Sequence, residues 1–328
     1  MGIGFLKGHG TENDFVLIPD DDGGCDLDAA AVAAVCDRRA GIGGDGLIRV
    51  VRTGACDDPA AVAARERAEW FMDYRNADGS LAEMCGNGVR VFARYLADHD
   101  LVDPARPLPV ATRTGVVEVR FADDPSGPIT ADMGVPQVVG ETAVAVAGSA
   151  ADPLSGTATD VAQQAHTWPA LHVSMGNPHA VTFVDALAEA GSLREAPAYD
   201  TEAFPTGVNV EFVVRRGPRH LAMRVHERGS GETRSCGTGA CAAMVAAAVT
   251  DPEDPVPADG PDTDRTYRVD VPGGTLQVTW TRRNHVLLAG PAVLVARGEV
   301  ANSLADGARA VRASNRAEAL RPEQLRHP

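Results

Sequence analysis

Two segments of this chain, 151 residues apart, carry the same pattern. NADGSLAEMCGNGVRVFA begins at Asn76 and ERGSGETRSCGTGACAAM begins at Glu227. Each places a polar residue nine positions before a cysteine, opens C-G-x-G at that cysteine, and runs straight into an apolar, helix-forming stretch. A weaker echo links Asn13 in ENDFVLI with Asn177 in GNPHAVTFV. The offset is close to half of the 328 residues, which implies two halves of similar fold. A cleft between such halves is a favoured place for a small molecule. Length alone allows about two domains at roughly 150 residues each.

Much of the chain reads as short β-runs broken by Gly and Asp. They cover 46–52, 69–75, 115–121, 179–184, 207–216, 220–228 and 276–280, each rich in β-branched or aromatic residues. Helical patterns are fewer, the clearest over 28–40, 88–100 and 239–250. This mix predicts a mixed α/β, α+β-like protein and excludes a helical bundle. Residues 53–68 read as a short helical excursion between two strands. Residues 146–164 read as a small, polar insertion, and 250–265 as an acidic, Pro-rich solvated loop. The arginine-bearing stretch 302–328 reads as a tail outside the main core.

Composition narrows the chemistry. A formal net charge of −15 and a pI near 5.0 disfavour a nucleic-acid partner and an anionic membrane surface. Lys7 is the only lysine, so a pyridoxal Schiff base has one candidate, at the edge of the chain, and no cofactor is expected. There is no run of eighteen apolar residues and no signal-peptide pattern, so a cytoplasmic location is expected. The six cysteines form no CxxC and no zinc-spaced cluster with histidine, so no metal is expected either. Cys25, Cys36, Cys56 and Cys241 are assigned to packing.

Cys85 and Cys236 are different. A cysteine at the start of a helix sits by unsatisfied N–H groups and the positive dipole end, which favours thiolate over thiol. The glycines of C-G-x-G let the backbone approach a ligand closely, and the first N–H groups of a helix bind carboxylates. Two such units face to face would grip one carboxylate from both sides and place a sulfur on each face of the adjacent α-carbon. That arrangement removes a proton from one face and returns one to the other, with thiolate and thiol exchanging roles. A rival from another class is a redox switch whose facing thiols close into a disulfide.

With ENDFV (12–16), GIGGDGL (41–47), ADMGVP (131–136), MGNPHAV (175–181) and TGVNVEF (206–212), the two cysteine segments resemble the diaminopimelate epimerase family. Its members interconvert LL- and meso-diaminopimelate, a precursor of lysine and peptidoglycan, without a cofactor. The resemblance spans about residues 3 to 300. It implies two pseudo-symmetric halves, each a curved, mostly antiparallel sheet around a central helix, with the active site in the cleft. Residues 1–132 with 291–300 would form the half carrying Cys85, 133–290 the half carrying Cys236, and 301–328 a tail. Cys85 and Cys236 would be the acid/base pair. Gly86 with Asn87, and Gly237 with Thr238, would hold the reacting carboxylate through backbone and side-chain donors. Asn13, Asn76, Asn177, Asn209 and Arg228 would bind the other polar groups of the substrate. Glu227 would take the reacting ammonium, and with His179 would tune the thiols. A homodimer is also implied.

The chain departs from the family at three places. Thr11 and Glu12 stand before Asn13 where a small apolar residue and Gly are usual, bringing charge and bulk towards the Asn13 loop. Gly46 stands where some relatives have a substrate-contacting Gln, so that contact is expected to be absent or replaced by water. His226 precedes Glu227 where an aromatic is common, and is expected to perturb it. These departures keep a second reading open, the same chemistry on another amino acid.

Overall fold

A computed structural model describes residues 3–25, 27–146 and 166–300. The expected 146–164 insertion, from residue 147 on, and the expected tail lie outside the described residues. The first half contains β1 (Ile3–Gly10), β2 (Asn13–Pro19), α1 (Ala29–Cys36), β3 (Gly46–Arg52), α2 (Pro59–Ala64), β4 (Trp70–Asn76), α3 (Gly86–Asp98), β5 (Leu108–Thr112), β6 (Gly115–Phe121) and β7 (Ile129–Asp132). After a crossing come β8 (Gln137–Val146), β9 (His166–Ser174), β10 (Pro178–Phe183), β11 (Ala198–Tyr199), β12 (Asn209–Gly217), β13 (His220–Glu227) and β14 (Gly231–Thr233). The chain continues through α4 (Gly237–Val249), β15 (Arg265–Val271), β16 (Gly274–Trp280), β17 (Val286–Gly290) and β18 (Val293–Val300).

Strand pairing makes the repeat visible. The two halves meet where β7 and β17 pair antiparallel. Outward from β7 the order is β6, β5, β4, β3, β2, β1, β18, joined antiparallel, antiparallel, parallel, antiparallel, parallel, antiparallel, antiparallel. Outward from β17 the order is β16, β15, β13, β12, β10, β9, β8, with the same sequence of directions. The expected α+β architecture of two similar halves is therefore present.

Each half closes around one helix. α3 is packed by β1–β4, β6, β7 and β18, and α4 by β9, β10, β12, β13 and β15–β17. Every residue of α3 from Gly86 to Leu96 is buried, and so is α4 from Gly239 to Ala248. A helix enclosed on all sides must be apolar all round or must satisfy its polar groups locally. α4 takes the first course with its alanines. α3 instead carries Asn87, Arg90 and Arg94 inward and satisfies most, though not all, of their polar atoms, Arg90 Nε being left over. Both helices start two residues earlier than the sequence pattern predicts, because the glycines continue the helix that the cysteine caps. α1 stops at Cys36 rather than 40, because Asp37 turns its carboxylate onto the N–H groups of Arg39 and Ala40. Among the described residues no helix is long and apolar enough to cross a membrane.

Candidate active site

α3 and α4 each begin on the residue after a cysteine, and that cysteine is the N-cap. Cys85 Sγ accepts from the Gly88 N–H at 3.4 Å, and Cys236 Sγ from the Gly239 N–H at 3.3 Å. The two helix starts touch. A Cβ built on Gly237 would lie 3.4 Å from Gly86 Cα and 3.5 Å from Asn87 N, so the backbones meet within reach of a single methyl. The N–H groups of Gly86, Gly237 and Thr238 have no acceptor among the described residues, which leaves them for an anion. A cavity of about 1080 Å³ opens at this junction, lined by both cysteines and by Asn13, Asn76, Gly86, Asn87, Asn177, Asn209, Glu227, Arg228, Gly237 and Thr238.

The thiols do not behave as the helix dipole alone predicts. Burial pushes Cys85 up to about 11; the Gly88 N–H opposes this and the Glu227 charge adds to it. Cys236 is raised well above its ordinary value, first by burial, then by the charges of Glu227 and Glu211, against the pull of Thr238 and Gly239. The expectation of ready thiolates is corrected: loss of water outweighs the helix N-terminus. Glu227 is itself raised, chiefly by burial, and its carboxylate accepts from the Thr233 hydroxyl. A buried acid in that condition suits a cation.

The asparagines divide into engaged and open. Asn87 is fully buried, with its amide spent on Asn13, Ser235 and Arg90. Its side chain is therefore engaged within the protein, and its backbone N–H lies by Cys85, where it opposes the upward shift of the thiol. Asn13 Oδ1 lies 3.5 Å from Cys85 Sγ while its Nδ2 donates to Asp45 at 2.7 Å. Asn177 donates to Thr238 Oγ1 at 3.3 Å, and Thr238 Oγ1 lies 3.5 Å from Cys236 Sγ. Asn209 Oδ1 accepts from the Arg228 N–H and its Nδ2 donates to the Pro178 carbonyl. Asn76 is exposed and bonds Ser80. Arg228 places Nη1 on Thr206 and leaves Nε and Nη2 unpaired among the described residues.

His179 does not line the cavity. It is fully buried, with Nδ1 2.7 Å from Glu211 Oε1 and Nε2 donating to Asn177 Oδ1 at 3.0 Å. It reaches Cys236 through Asn177 and Thr238, and through Glu211, whose charge acts on that thiol. Glu211 was missed by the sequence reading, although an acid inside the apolar run VNVEFVV was a signal. So were Arg90, Ser235 and Tyr74, which read as ordinary helix, loop and strand residues.

The three departures resolve in space. Thr11 and Glu12 take left-handed backbone angles, φ 51° and 61°, and form the β1–β2 turn. Glu12 turns out to Arg234, while Thr11 Oγ1 meets Ser235 Oγ at 2.6 Å, so the turn ties the halves together and Asn13 still reaches Cys85. His226 bonds the Leu193 carbonyl at 3.0 Å, and neighbouring strand residues face opposite ways, so it does not approach Glu227 as expected. The room beside Gly46 is taken by the Tyr74 ring rather than left to water.

A family model described as diaminopimelate epimerase matches residues 5–139 and 171–295. The chain is 54% identical over 306 residues to the diaminopimelate epimerase of Streptomyces coelicolor, covering 93% of this chain and 98% of that protein. It is 48% identical over 298 residues to that of Thermobifida fusca, covering 90% and 97%. Among solved structures, a phenazine biosynthesis protein of the PhzF family from Bacillus anthracis superposes with a TM-score of 0.63 at 18% identity, covering 92% of this chain and 99% of the other. That likeness concerns the fold.

Proposed function

The chain belongs to the diaminopimelate epimerase family, and from that premise we propose that it is an isomerase converting LL- to meso-diaminopimelate through Cys85 and Cys236 acting in turn as base and acid. The product would feed lysine and peptidoglycan precursor synthesis. The observation that carries the mechanism is the meeting of two cysteine-capped helix starts in one cavity.

The reacting carboxylate would lie on the N–H groups of Gly86, Asn87, Gly237 and Thr238. One sulfur, as thiolate, takes the α-proton. The other, as thiol, gives its proton to the opposite face. Protons balance: the charge moves from one sulfur to the other, and the reverse turnover returns it. Two helix N-termini stabilise the carbanion as charge spreads into the carboxylate. Burial is the main cause that raises both thiols, and the α-ammonium beside Glu227 would cancel the carboxylate charge that adds to it. Substrate binding thus lowers the cost of forming the thiolate it needs. The open donors of Arg228 and the exposed amide of Asn76 suit the distal carboxylate and ammonium.

The test is fully reduced protein with LL-diaminopimelate in heavy water. Meso product and α-deuterium should appear together, with proline inert, and serine at either cysteine should abolish epimerisation. Neither signal from reduced, folded protein would overturn the reading. Deuterium entering another amino acid but not diaminopimelate would establish a racemase of different specificity. A homodimer belongs to the same reading; β18 exposes Val293 and Val295, and light scattering would measure the assembly.

A further inference from the structure

Tyr74 stands in β4, two residues before Asn76, and lines the cavity that holds both cysteines. Its ring is buried, edge-on to Phe15 with centroids 5.7 Å apart. Its backbone is pinned, since the Tyr74 carbonyl accepts from the Ala82 N–H and from Arg113 Nη1. The ring therefore has little freedom. Its hydroxyl makes no hydrogen bond to the described residues and is not among their buried, unpartnered polar atoms, so it opens on the cavity. A buried tyrosine normally finds a hydrogen-bond partner.

The space for this ring is created across the sheet. Gly46 in β3 has no side chain, and a Cβ there would lie 2.6 Å from Tyr74 Cε2 and 3.3 Å from its hydroxyl. The same Cβ would lie 2.6 Å from the Arg75 carbonyl oxygen, so a larger residue at 46 would displace the phenol, the strand backbone or both. Burial, followed by the nearness of Cys85, Glu227 and Asp45, drives the ionisation of Tyr74 well up, so the group remains an O–H. Its oxygen thus stays a neutral acceptor among groups that are themselves acidic. That surrounding calls for a cation, in the cavity that Tyr74 lines together with Cys85 and Glu227.

We propose that the Tyr74 hydroxyl contacts the substrate at the reacting centre, accepting a hydrogen bond from the α-ammonium beside Glu227, with Gly46 as the gap that admits the phenol. This rests on the functional reading above and adds a residue that determines affinity. Tyr74→Phe removes only the oxygen that opens on the cavity. KM for LL-diaminopimelate should rise about tenfold, kcat should change less than about threefold, and the thermal midpoint should hold. A second readout needs no turnover. The protein has four tyrosines, so ¹³Cζ-tyrosine labelling gives four resonances, and the one missing in Tyr74→Phe is that of Tyr74. In Cys85→Ser protein that resonance should move on adding LL-diaminopimelate. Unchanged KM with an unmoved resonance, in enzyme whose wild type is active, would overturn this inference alone. Wild type inert towards diaminopimelate, with no shift, would overturn the functional reading and this inference with it.

Discussion

Arg90 carries a positive charge to a place where no carboxylate of the described residues meets it. It is fully buried, with Nη1 on the Gly86 carbonyl at 3.3 Å, Nη2 on Asn87 Oδ1 at 2.9 Å, and Nε without a partner. Burial lowers its pKa to about 10. Leaving a charge unpaired in the interior costs several kcal/mol, so packing alone is a poor reason for it. Its position behind the start of α3 gives a reason: it adds to the helix N-terminus beneath Cys85 and fixes the Asn87 amide. Arg90→Met should push the Cys85 thiol above its present value of about 11 and lower kcat by about tenfold or more. Site-resolved iodoacetamide labelling across pH reads the first effect. In wild type, Cys85 labelling should rise through a pH near 11 and precede that of Cys236, which two acids hold higher. A Cys85 profile unmoved in Arg90→Met would reduce Arg90 to a packing residue.

Between elements, the decisive distance is that between the starts of α3 and α4. Leu288 Cδ2 caps both: a Cβ on Gly86 would come within 2.9 Å of it, and one on Gly237 within 3.0 Å. Gly237→Ala should therefore push Leu288 aside by a few tenths of an ångström and set a methyl against Gly86 Cα and Asn87 N, in the space between the helix starts. Overpacking of this kind costs about 1–3 kcal/mol, while misplacing reacting groups by an ångström costs about a hundredfold in rate. We expect kcat to fall about ten- to a hundredfold, far beyond the loss in urea midpoint, with far-UV circular dichroism unchanged. Wild-type kcat in a folded variant would show that the close approach is not needed. The repeat made this junction legible in the sequence, since C-G-x-G before an apolar run specifies a capped helix from local residues alone. Strands such as 46–52 and 115–121 were legible for the same reason, because their periodicity is local. What stayed hidden depends on partners distant in the chain. Nothing near Asn87 foretells that Ser235, 148 residues away, takes its amide, and nothing near Gly46 announces the ring of Tyr74. The thiol shifts were misjudged for the same reason, because burial is a property of the assembled halves.

The assembled molecule is two enclosed helices joined by a thin seam. The β7–β17 ladder spans four residue pairs, Asp132 with Leu287 through Ile129 with Gly290. The chain itself crosses between β7 and β8 and again between β17 and β18, which pairs with β1. We propose that residues 1–132 with 291–300 and residues 133–290 move as units about these crossings. The remaining polar ties are side-chain contacts: Thr11 and Asn87 to Ser235, Glu12 to Arg234, and Asp132 to His285. The cavity between the units, at about 1080 Å³, is far roomier than a seven-carbon diamino diacid requires. Water filling the remainder would protonate a carbanion without regard to face and would screen the helix N-termini that stabilise it. Stereochemical inversion therefore favours closure, which expels that water and brings the two sulfurs to opposite faces of one carbon. Small-angle X-ray scattering on reduced protein should show a smaller radius of gyration when a tight-binding diaminopimelate analogue is added. The same analogue should protect Cys85 and Cys236 from iodoacetamide together, because both line the one cavity. Protection without compaction would mean that the site is already closed enough for the chemistry, and the two-unit motion would be discarded.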